Sequence, residues 1–540
     1  MRRFLSLLLI AITVFSLCAC GETDTSGKTL SFPVSSEPKS LDPQIASDDG
    51  ARIVAVNCFQ GLYRLDENGE PKPDAALSCE VSADGLTYTF TLTRDSRWHL
   101  ISGLEDMLGE NYKTEFDTRV TAHDFVFALK RAVSPETKAQ DVFKLFSIKN
   151  AARIYDGDLS PEELGVRAAD DYTLIIELEQ KSNELFAVLA SPVAMPCSER
   201  FFEATKGHYG LSVSYFLCNG AFYLSKWTQG ASLLLRRNPD YLAGSEAAAP
   251  VPAAVRLYIN SDNASVYEKL AASDYDAAFA PLPADASALS ECTVTEYANI
   301  VSGLLLNPSN SFLSDPDIRL ALIKSLERES ILDAAGSLTH TRGFIPEVCS
   351  IDGLNYRETA GALEYGLYDE QDARLLWQSG LERLGTQTVT LAVSCSEANK
   401  TALGKVMQNW QRVLGLTLSI TLNVLTDDKL NSAVSSGSYD IAFTDRECTD
   451  FSAYEFLSGV SFASLLPDSY FNELDAVASA QSTQEAVRHC IEAEKILLEA
   501  GVFYPVCTQK SGFILANGSS GIYLASACDK IYFHNGRRTD

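Results

Sequence analysis

The residues that most often carry catalysis are present in this chain, but they form no recognisable catalytic pattern. The six histidines lie far apart, and none stands four residues from another, the spacing by which a helix brings two imidazoles to one metal. The sequence contains no G-x-S-x-G, H-E-x-x-H or G-x-x-x-x-G-K-[ST] motif. We therefore expect a protein without enzymatic activity, without a metal and without a cofactor.

Thirteen cysteines could form disulfides or bind zinc, but their distribution favours neither. None forms a C-x-x-C pair, and none has a histidine nearby at zinc-ligand spacing. Cys18 and Cys20 fall in the leader described next, and the other eleven are an odd number that cannot all pair within one chain. We interpret them as small buried hydrophobic residues, with a disulfide framework as the alternative, because a chain of this length needs no covalent staples.

The first twenty residues have the pattern of an export signal. Two arginines precede an almost wholly apolar run, residues 4–17, which is too short for a transmembrane helix. The run ends in the sequence LCAC, residues 17–20, which resembles the bacterial lipoprotein signal. We predict a signal peptide over residues 1–19, lipid attachment at Cys20 and a flexible tether over residues 20–28. The alternative is an ordinary signal peptide that is cut nearby.

Composition and charge limit the class of protein. The 540 residues are 46% hydrophobic and 21% charged, which is typical of a globular chain with room for two to four domains. The 44 basic and 71 acidic residues give a net charge of −27, so the protein repels phosphate backbones and anionic lipid headgroups. We expect no nucleic-acid partner and no polybasic membrane surface.

Hydrophobic periodicity predicts an α/β fold. Strands are predicted at residues 87–92, 172–179, 232–236, 389–393, 416–424 and 439–444. Helices are predicted from the capping box at Thr121 to Pro135, from Pro316 onward, and at residues 369–379, 398–413, 427–435 and 483–499. Gly380 and Gly501 are expected to end the helices that precede them. Helices and strands alternate from residue 369 to residue 444, which indicates some parallel pairing.

Eight short motifs lie in order along the chain from about residue 30 to residue 510. They include SEPKSLDP at residues 36–43, NCFQGLY at 57–63, SADGLTYTF at 82–90, TAHDFV at 121–126, NGAFYL at 219–224, RNPDY at 237–241, a block at 312–326 and YDI at 439–441. Together they resemble the motifs of the oligopeptide- and dipeptide-binding family, the family 5 extracellular solute-binding proteins of ABC importers.

The resemblance implies the fold. Members have two α/β lobes joined by two hinge strands, a type II-like periplasmic binding protein fold, with an extra subdomain on the first lobe. We place lobe I at residues 29–300 and 506–540, its inserted subdomain at about residues 57–170, and lobe II at residues 301–505. The hinge strands are expected near residues 297–306 and 504–513, and the lobes close over a ligand by a hinge motion.

The resemblance also implies a peptide site. A peptide can be held through its main chain whatever its sequence, but its α-ammonium group needs a fixed anion. In this family an aspartate shortly after the Y-D-I strand supplies that anion. Asp450, followed by the aromatic Phe451, matches this aspartate, and Asp445 is the second candidate. The alternative is that Asp450 only caps the next turn.

Weaker matches place five more residues at the cleft. Ser36, Glu37 and Pro38 lie where the resemblance implies a ligand-facing strand of the first lobe. Phe279 and Ala280 lie in the segment that corresponds to a cleft-lining loop of the family. Glu37 could equally be an ordinary surface charge.

One insertion departs from the family pattern. Residues 99–119 separate Trp98 from the Val120-Thr121 pair that follows it more closely in the family. The charged, glycine-bearing composition of this insertion predicts a surface loop.

We therefore predict a lipid-anchored, monomeric receptor on the outer face of the cytoplasmic membrane. It would bind short peptides between its lobes and deliver them to the permease and ATPase subunits of an ABC importer. The alternative is the same role for another solute, such as a nickel chelate, haem or an oligosaccharide, because the family's tryptophan before Asp450 is missing and the spacing is one residue longer. A secreted lipoprotein hydrolase is the least favoured candidate, because the catalytic motifs are absent.

Overall fold

The structure is a computed structural model that describes residues 28–182, 184–241, 251–283, 285–328, 339–351, 353–363, 365–478, 480, 482–525 and 530–539. The predicted signal peptide, Cys20 and all of the predicted tether except residue 28 lie outside the described residues, as does Cys528.

The strands of the described chain are short except for two that exceed ten residues. In chain order they are β1 (Thr29–Val34), β2 (Tyr63–Leu65), β3 (Pro71–Pro73), β4 (Ala76–Val81), β5 (Thr87–Leu92), β6 (Val166–Asp170), β7 (Thr173–Glu177), β8 (Phe222–Thr228), β9 (Ser232–Arg237), β10 (Ala254–Ile259), β11 (Ala277–Pro281), β12 (Thr293–Leu306), β13 (Thr339–His340), β14 (Ser350–Ile351), β15 (Leu354–Asn355), β16 (Val389–Ser396), β17 (Leu418–Leu425), β18 (Ile441–Glu447), β19 (Phe503–Leu515), β20 (Ser519–Ser520), β21 (Tyr523–Leu524), β22 (Ile531–Tyr532) and β23 (Arg537–Arg538).

The α-helices of the described chain range from one turn to five turns. They are α1 (Asp49–Cys58), α2 (Glu105–Leu108), α3 (Tyr112–Glu115), α4 (Ala122–Val133), α5 (Ala151–Tyr155), α6 (Leu185–Val188), α7 (Glu199–Ala204), α8 (Asn263–Ala271), α9 (Pro316–Lys324), α10 (Tyr356–Ala360), α11 (Glu370–Leu384), α12 (Lys400–Leu414), α13 (Asp427–Ser435), α14 (Ala453–Ser458), α15 (Asp468–Ala478) and α16 (Thr483–Ala500). In the described residues, no helix combines the length and apolar character that a membrane span requires.

Three larger sheets organise the described chain. Sheet A has the strand order β1-β10-β9-β8, and sheet B has the order β4-β5-β7-β6. Sheet C has the order β11-β19-β12-β18-β16-β17, with β13 also paired to β19. Strand β16 is parallel to both β17 and β18, so the predicted parallel pairing is confirmed.

The two longest strands, β12 and β19, pair with each other along sheet C. Their antiparallel register runs from Thr293 opposite Leu515 to Leu305 opposite Phe503, with irregularities after Tyr297 and Ser302. Both predicted hinge segments fall within these strands, and so do the predicted lobe boundaries at residues 300 and 505. The assignment of residues to two lobes and a subdomain stays a prediction.

The close approach of β12 and β19 requires a glycine. A Cβ atom on Gly303 would lie 2.4 Å from the carbonyl oxygen of Tyr504 and 2.6 Å from the ring of Phe503. Any larger residue would push the two strands apart at a point where every neighbour on β12 from Ile300 to Leu306 is buried.

Most of the predicted elements are confirmed. The capping box of α4 forms as expected, because the Asp124 carboxylate accepts a hydrogen bond from the backbone N–H of Thr121 at 2.7 Å. Helix α9 begins at Pro316, and helix α16 ends at Gly501 in the left-handed conformation.

The prediction that Gly380 ends a helix is wrong. Helix α11 continues through Gly380 to Leu384, and Gly385, with φ of 62°, ends it. Gly380 serves packing instead, since a Cβ atom there would lie 2.6 Å from the side chain of Ile318 on helix α9. The helix pair approaches closely at this point, and a sequence pattern cannot distinguish that role from a helix stop.

The start of one predicted strand and the insertion also differ from expectation. Leu416 is fully exposed in the turn after α12, so strand β17 begins two residues later than predicted, at Leu418.

Residues 99–119 are not simply a surface loop, because they form α2 and α3 and bury Leu104, Tyr112 and Phe116. These apolar side chains attach the charged insertion to the core.

A buried ion pair joins α10 to α16. The guanidinium of Arg357 contacts the Glu494 carboxylate at 2.7 Å, and the two side chains are 1% and 0% exposed. Glu494 also accepts hydrogen bonds from the backbone N–H of Phe344 at 2.6 Å and from the hydroxyl of Tyr356 at 2.7 Å. The carboxylate thus ties three chain segments together without contact with water.

Replacing Arg357 with methionine should lower the free energy of unfolding by about 3 kcal/mol, because Glu494 would remain buried without its cation. Urea unfolding followed by circular dichroism would measure the change. As a control, Lys495→Met removes an exposed surface pair with Glu492 and should change stability by less than about 0.5 kcal/mol. Equal losses in both variants would contradict this role of the buried pair.

Candidate functional site

Asp450 lies in a short loop between strand β18 and helix α14. The backbone on both sides of it is fixed to other segments. The N–H of Cys448 donates to the carbonyl of Asn299 at 2.8 Å, and the N–H of Ser350 donates to the carbonyl of Phe451 at 2.8 Å. The loop therefore presents the Asp450 carboxylate from a rigid base at the end of sheet C.

The helix that follows has its own cap. Ser452 accepts the N-terminal hydrogen bond of α14 from the N–H of Glu455 at 3.3 Å, so Asp450 does not cap this helix.

Arg446 lies near the place of the family's tryptophan. Its guanidinium carbon is 4.7 Å from the centroid of the Phe456 ring, and its side chain donates a hydrogen bond to the carbonyl of Phe456 at 2.7 Å. Arg446 thus braces α14 against strand β18.

The Asp450 carboxylate contacts two cations from the other side of the predicted cleft. The Nζ atom of Lys144 lies 3.5 Å from Asp450 and 3.4 Å from Glu455, and it also lies 3.5 Å from Asp141. The guanidinium of Arg52 lies 3.8 Å from Asp450 and 3.0 Å from Asp141. Lys144 and Arg52 belong to predicted lobe I, whereas Asp450 and Glu455 belong to predicted lobe II.

Burial and these contacts shift the pKa values of the three central groups. Burial alone would raise the pKa of Asp450, but the ammonium of Lys144, a hydrogen bond with Glu455 and the charges of Lys530 and Arg52 together outweigh this effect, so the pKa falls below its usual range. Burial would lower the pKa of Lys144, but Glu455, Asp450 and Asp141 together raise it. Burial raises the pKa of Glu455 well above its usual value, and the charge of Asp450 adds to this shift. The pKa shifts therefore favour the charged forms of Lys144 and Asp450 and the protonated form of Glu455.

A cavity of about 460 Å³ adjoins this charged cluster. Its volume lies within the range of small-molecule sites, and its wall combines aromatic, backbone and charged groups. The lining residues are Phe143 on one side and residues 446–450, 454–456, 458 and 459 on the other.

Three aromatic rings form a row beside the Asp450 loop. The ring of Phe451 stacks on that of Tyr297 with centroids 5.3 Å apart, and Tyr297 contacts Phe279 with centroids 6.0 Å apart. The structure thus brings together Phe279 and Phe451, which the sequence placed at the cleft independently. The expectation that Phe279 and Ala280 lie in a loop is wrong, because both belong to strand β11. Ala280 is buried there.

Ser36, Glu37 and Pro38 lie in a loop just after β1, so the expectation of a strand at these residues is wrong. Ser36 is exposed, whereas Pro38 is buried. The carboxylate of Glu37 accepts hydrogen bonds from the indole N–H of Trp227 and the backbone N–H of Gly230. The Glu37 side chain thus joins this loop to the β8–β9 hairpin of sheet A.

Asp445, the second candidate anion, lies on strand β18 and is exposed. Its carboxylate accepts a hydrogen bond from the Gln509 side chain at 3.2 Å, and Gln509 also donates to the hydroxyl of Ser302 at 2.6 Å. Asp445 therefore faces the β12–β19 joint, whereas Asp450 faces the cations of predicted lobe I.

Sequence reasoning missed Arg52, Lys144 and Tyr297 as members of this site. Lys144 and Asp450 are separated by 306 residues, and no local pattern links two such distant charges. The only available signal was weak: Lys144 follows Asp141 within an apolar segment, where an unpaired charge is costly.

The cysteines and acidic groups provide no metal centre in the described residues. All ten cysteines of the described chain are thiols, and eight of them are buried, as the interpretation of small hydrophobic residues predicts. The thiols of Cys349 and Cys448 are in contact, with their sulfur atoms 3.2 Å apart beneath the Asp450 loop.

Fold and site together define a two-lobe binding protein. The model of the family described as Bacterial extracellular solute-binding proteins, family 5 Middle, matches residues 70–464. This chain belongs to the family 5 extracellular solute-binding proteins. The predicted fold class is confirmed, and the expectation of a binding protein rather than an enzyme is confirmed by this family membership.

Individual relatives extend the comparison over nearly the whole chain. A dipeptide-binding protein of Lactococcus lactis is 25% identical over 547 residues, covering 96% of this chain and 96% of the relative. A probable deoxycholate-binding periplasmic protein of Escherichia coli is 33% identical over 208 residues, covering 38% of this chain and 36% of the relative. The structure of Listeria monocytogenes OppA bound to peptide matches with a TM-score of 0.74 and 20% identity, covering 96% of this chain and 100% of that one.

Phe451 adopts a left-handed backbone conformation with φ of 53°, which a glycine would adopt without steric cost. Phe451→Gly and Phe451→Ala both remove the stack on Tyr297, but only alanine keeps the backbone strain. Phe451→Gly should therefore have a free energy of unfolding about 1 kcal/mol higher than that of Phe451→Ala, as measured by urea unfolding.

Phe471 provides the matched control for this comparison. It is partly exposed within helix α15, where glycine should instead be less stable than alanine by about 1 kcal/mol. The same order of stabilities at both positions would contradict the conformational argument.

Proposed function

We propose that this protein is a receptor outside the cytoplasm that binds short peptides between its two lobes and delivers them to the permease and ATPase of an ABC importer. The observation that carries the proposal is the Asp450–Phe451 loop, which presents a largely buried carboxylate and an aromatic ring beside a cavity. Family membership and the name of the Lactococcus relative support the choice of peptide.

The proposed site combines one fixed anion with adaptable surroundings. Asp450 would hold the α-ammonium group of the peptide, and the aromatic row of Phe279, Tyr297 and Phe451 would cover its first side chains. Backbone groups of the two lobes would hold the peptide main chain, which is the same in every peptide. The roomy cavity would admit water around variable side chains, so selectivity for sequence would be low.

The remaining ligand contacts would come from predicted lobe I. We assign Ser36, Glu37 and Pro38 to the rim of the cleft, with Glu37 bound to Trp227 and thus acting as a fixed element. Ala280, which is buried beside Phe279, would support the aromatic row from behind. Rigid supports of this kind hold a binding surface in place for ligands of different shape.

The same proposal includes attachment to the membrane. A diacylated Cys20 with a polar tether over residues 20–28 would keep a monomeric receptor at the outer membrane face, near its permease. Whether that face borders a periplasm or the cell exterior depends on the envelope of the organism.

A second candidate solute is a small amphipathic carboxylate rather than a peptide. The name of the Escherichia relative, a probable deoxycholate-binding periplasmic protein, supports this candidate over the 38% of the chain that the match covers. The cations Arg52 and Lys144 and the aromatic row would suit an apolar anion, although both cations already contact carboxylates of the protein.

Isothermal titration calorimetry with a pool of short unmodified peptides tests the proposal. In a Lys144→Met background, where the Lys144 ammonium no longer contacts Asp450, Asp450→Asn should raise the Kd at least about tenfold, because the α-ammonium would lose an anion worth about 2–5 kcal/mol. Asp445→Asn should leave the Kd within about twofold, since Asp445 is exposed on β18. The opposite ranking would transfer the anion role to Asp445, and no binding of any peptide to the unaltered protein would contradict peptide binding.

A further inference from the structure

Lys144 contacts the carboxylate that the proposed function assigns to the peptide ammonium. Its Nζ atom is a primary ammonium, the same chemical group as a peptide N-terminus, and it contacts both Asp450 and Glu455 across the predicted cleft. Its side chain is 9% exposed, so it is a buried member of the site rather than a surface charge. Sequence and family motifs gave this residue no role.

The charges at the site balance without a ligand ammonium. The cations Arg52 and Lys144 face the carboxyl groups of Asp141, Asp450 and Glu455, and the positive charge of Lys530 also acts on Asp450 and Glu455. A peptide N-terminus would add a fourth cation to a buried cluster that has three carboxyl groups. Because an uncompensated buried charge is costly, the incoming ammonium and Lys144 cannot both hold Asp450.

Lys144 is the cation that can leave. Its three carboxylate contacts are long, at 3.4–3.5 Å, and its ammonium has no fixed hydrogen-bond geometry. Asp141, three residues before it, would keep Lys144 paired after it leaves Asp450. Arg52 is held more firmly, since it contacts Asp141 at 3.0 Å and donates to the carbonyl of Ala46 at 3.3 Å.

We propose that Lys144 is a resident competitor for the ammonium subsite and thereby determines specificity for the ligand terminus. A free N-terminus gains Asp450 only by displacing Lys144, so much of its advantage over a blocked N-terminus is cancelled. The unaltered protein therefore binds free and N-acetylated peptides with similar affinity. This inference rests on the proposed peptide function and on Asp450 as its anion.

The test compares one tripeptide with its N-acetylated form by calorimetry, for the unaltered protein and for Lys144→Met. We define the ratio as the Kd of the N-acetylated peptide divided by the Kd of the free peptide. It should be within about threefold of one for the unaltered protein and at least about tenfold higher in Lys144→Met. Lys144→Arg keeps a cation at the site and should retain the ratio of the unaltered protein. Lys149→Met, which removes an exposed pair with Glu177, is the control for loss of a lysine elsewhere.

The outcomes separate this inference from the proposed function. If both peptides bind and the ratio is the same in Lys144→Met as in the unaltered protein, Lys144 does not compete and the inference is overturned. If the unaltered protein already prefers the free peptide more than about tenfold, Lys144 is no barrier and the inference is also overturned. If neither peptide binds, the proposed function fails and the inference fails with it. If circular dichroism shows that Lys144→Met does not fold, Lys144→Gln is used in its place.

Discussion

The antiparallel pairing of β12 with β19 is the contact on which the other features depend. Asn299 lies at its irregularity, is fully buried and accepts a hydrogen bond from the backbone N–H of Ser511 at 3.1 Å. The same residue donates to the Glu447 carboxylate at 3.1 Å and accepts from the N–H of Cys448 at 2.8 Å. The joint between the two long strands therefore also fixes the base of the Asp450 loop.

The candidate site is held by charge across the predicted cleft rather than by an apolar seal. Lys144 and Arg52 reach Asp450 from segments that are distant in sequence, and each contact removes a charge from water. Pairs of this kind contribute little to stability, because the cost of desolvation offsets the Coulomb attraction. Such pairs allow exchange of partners, since a ligand cation can replace a protein cation at the carboxylate at small net cost in free energy.

The sequence allowed prediction of much of the fold and only half of the site. Periodicity located β5, α4 and α16 because each buries one face, and the alternation that predicts a strand or helix is local. Gly380 was misjudged because close packing of α9 on α11 is a tertiary property. Asp450 follows a recognisable strand, but Lys144, 306 residues away, meets it only through the folded topology. Charge complementarity between distant segments leaves no pattern in a single sequence.

The most direct measurement for this account is native mass spectrometry of the protein purified without refolding, followed by denaturation and identification of the molecules released. Peptide binding through a common main chain predicts a heterogeneous set of short peptides, with no single dominant side-chain sequence. A single non-peptide species, such as a bile-acid-like carboxylate, a metal chelate or a sugar, would contradict peptide binding. Membership of the solute-binding family would stand in either case, because it rests on residues 70–464 as a whole.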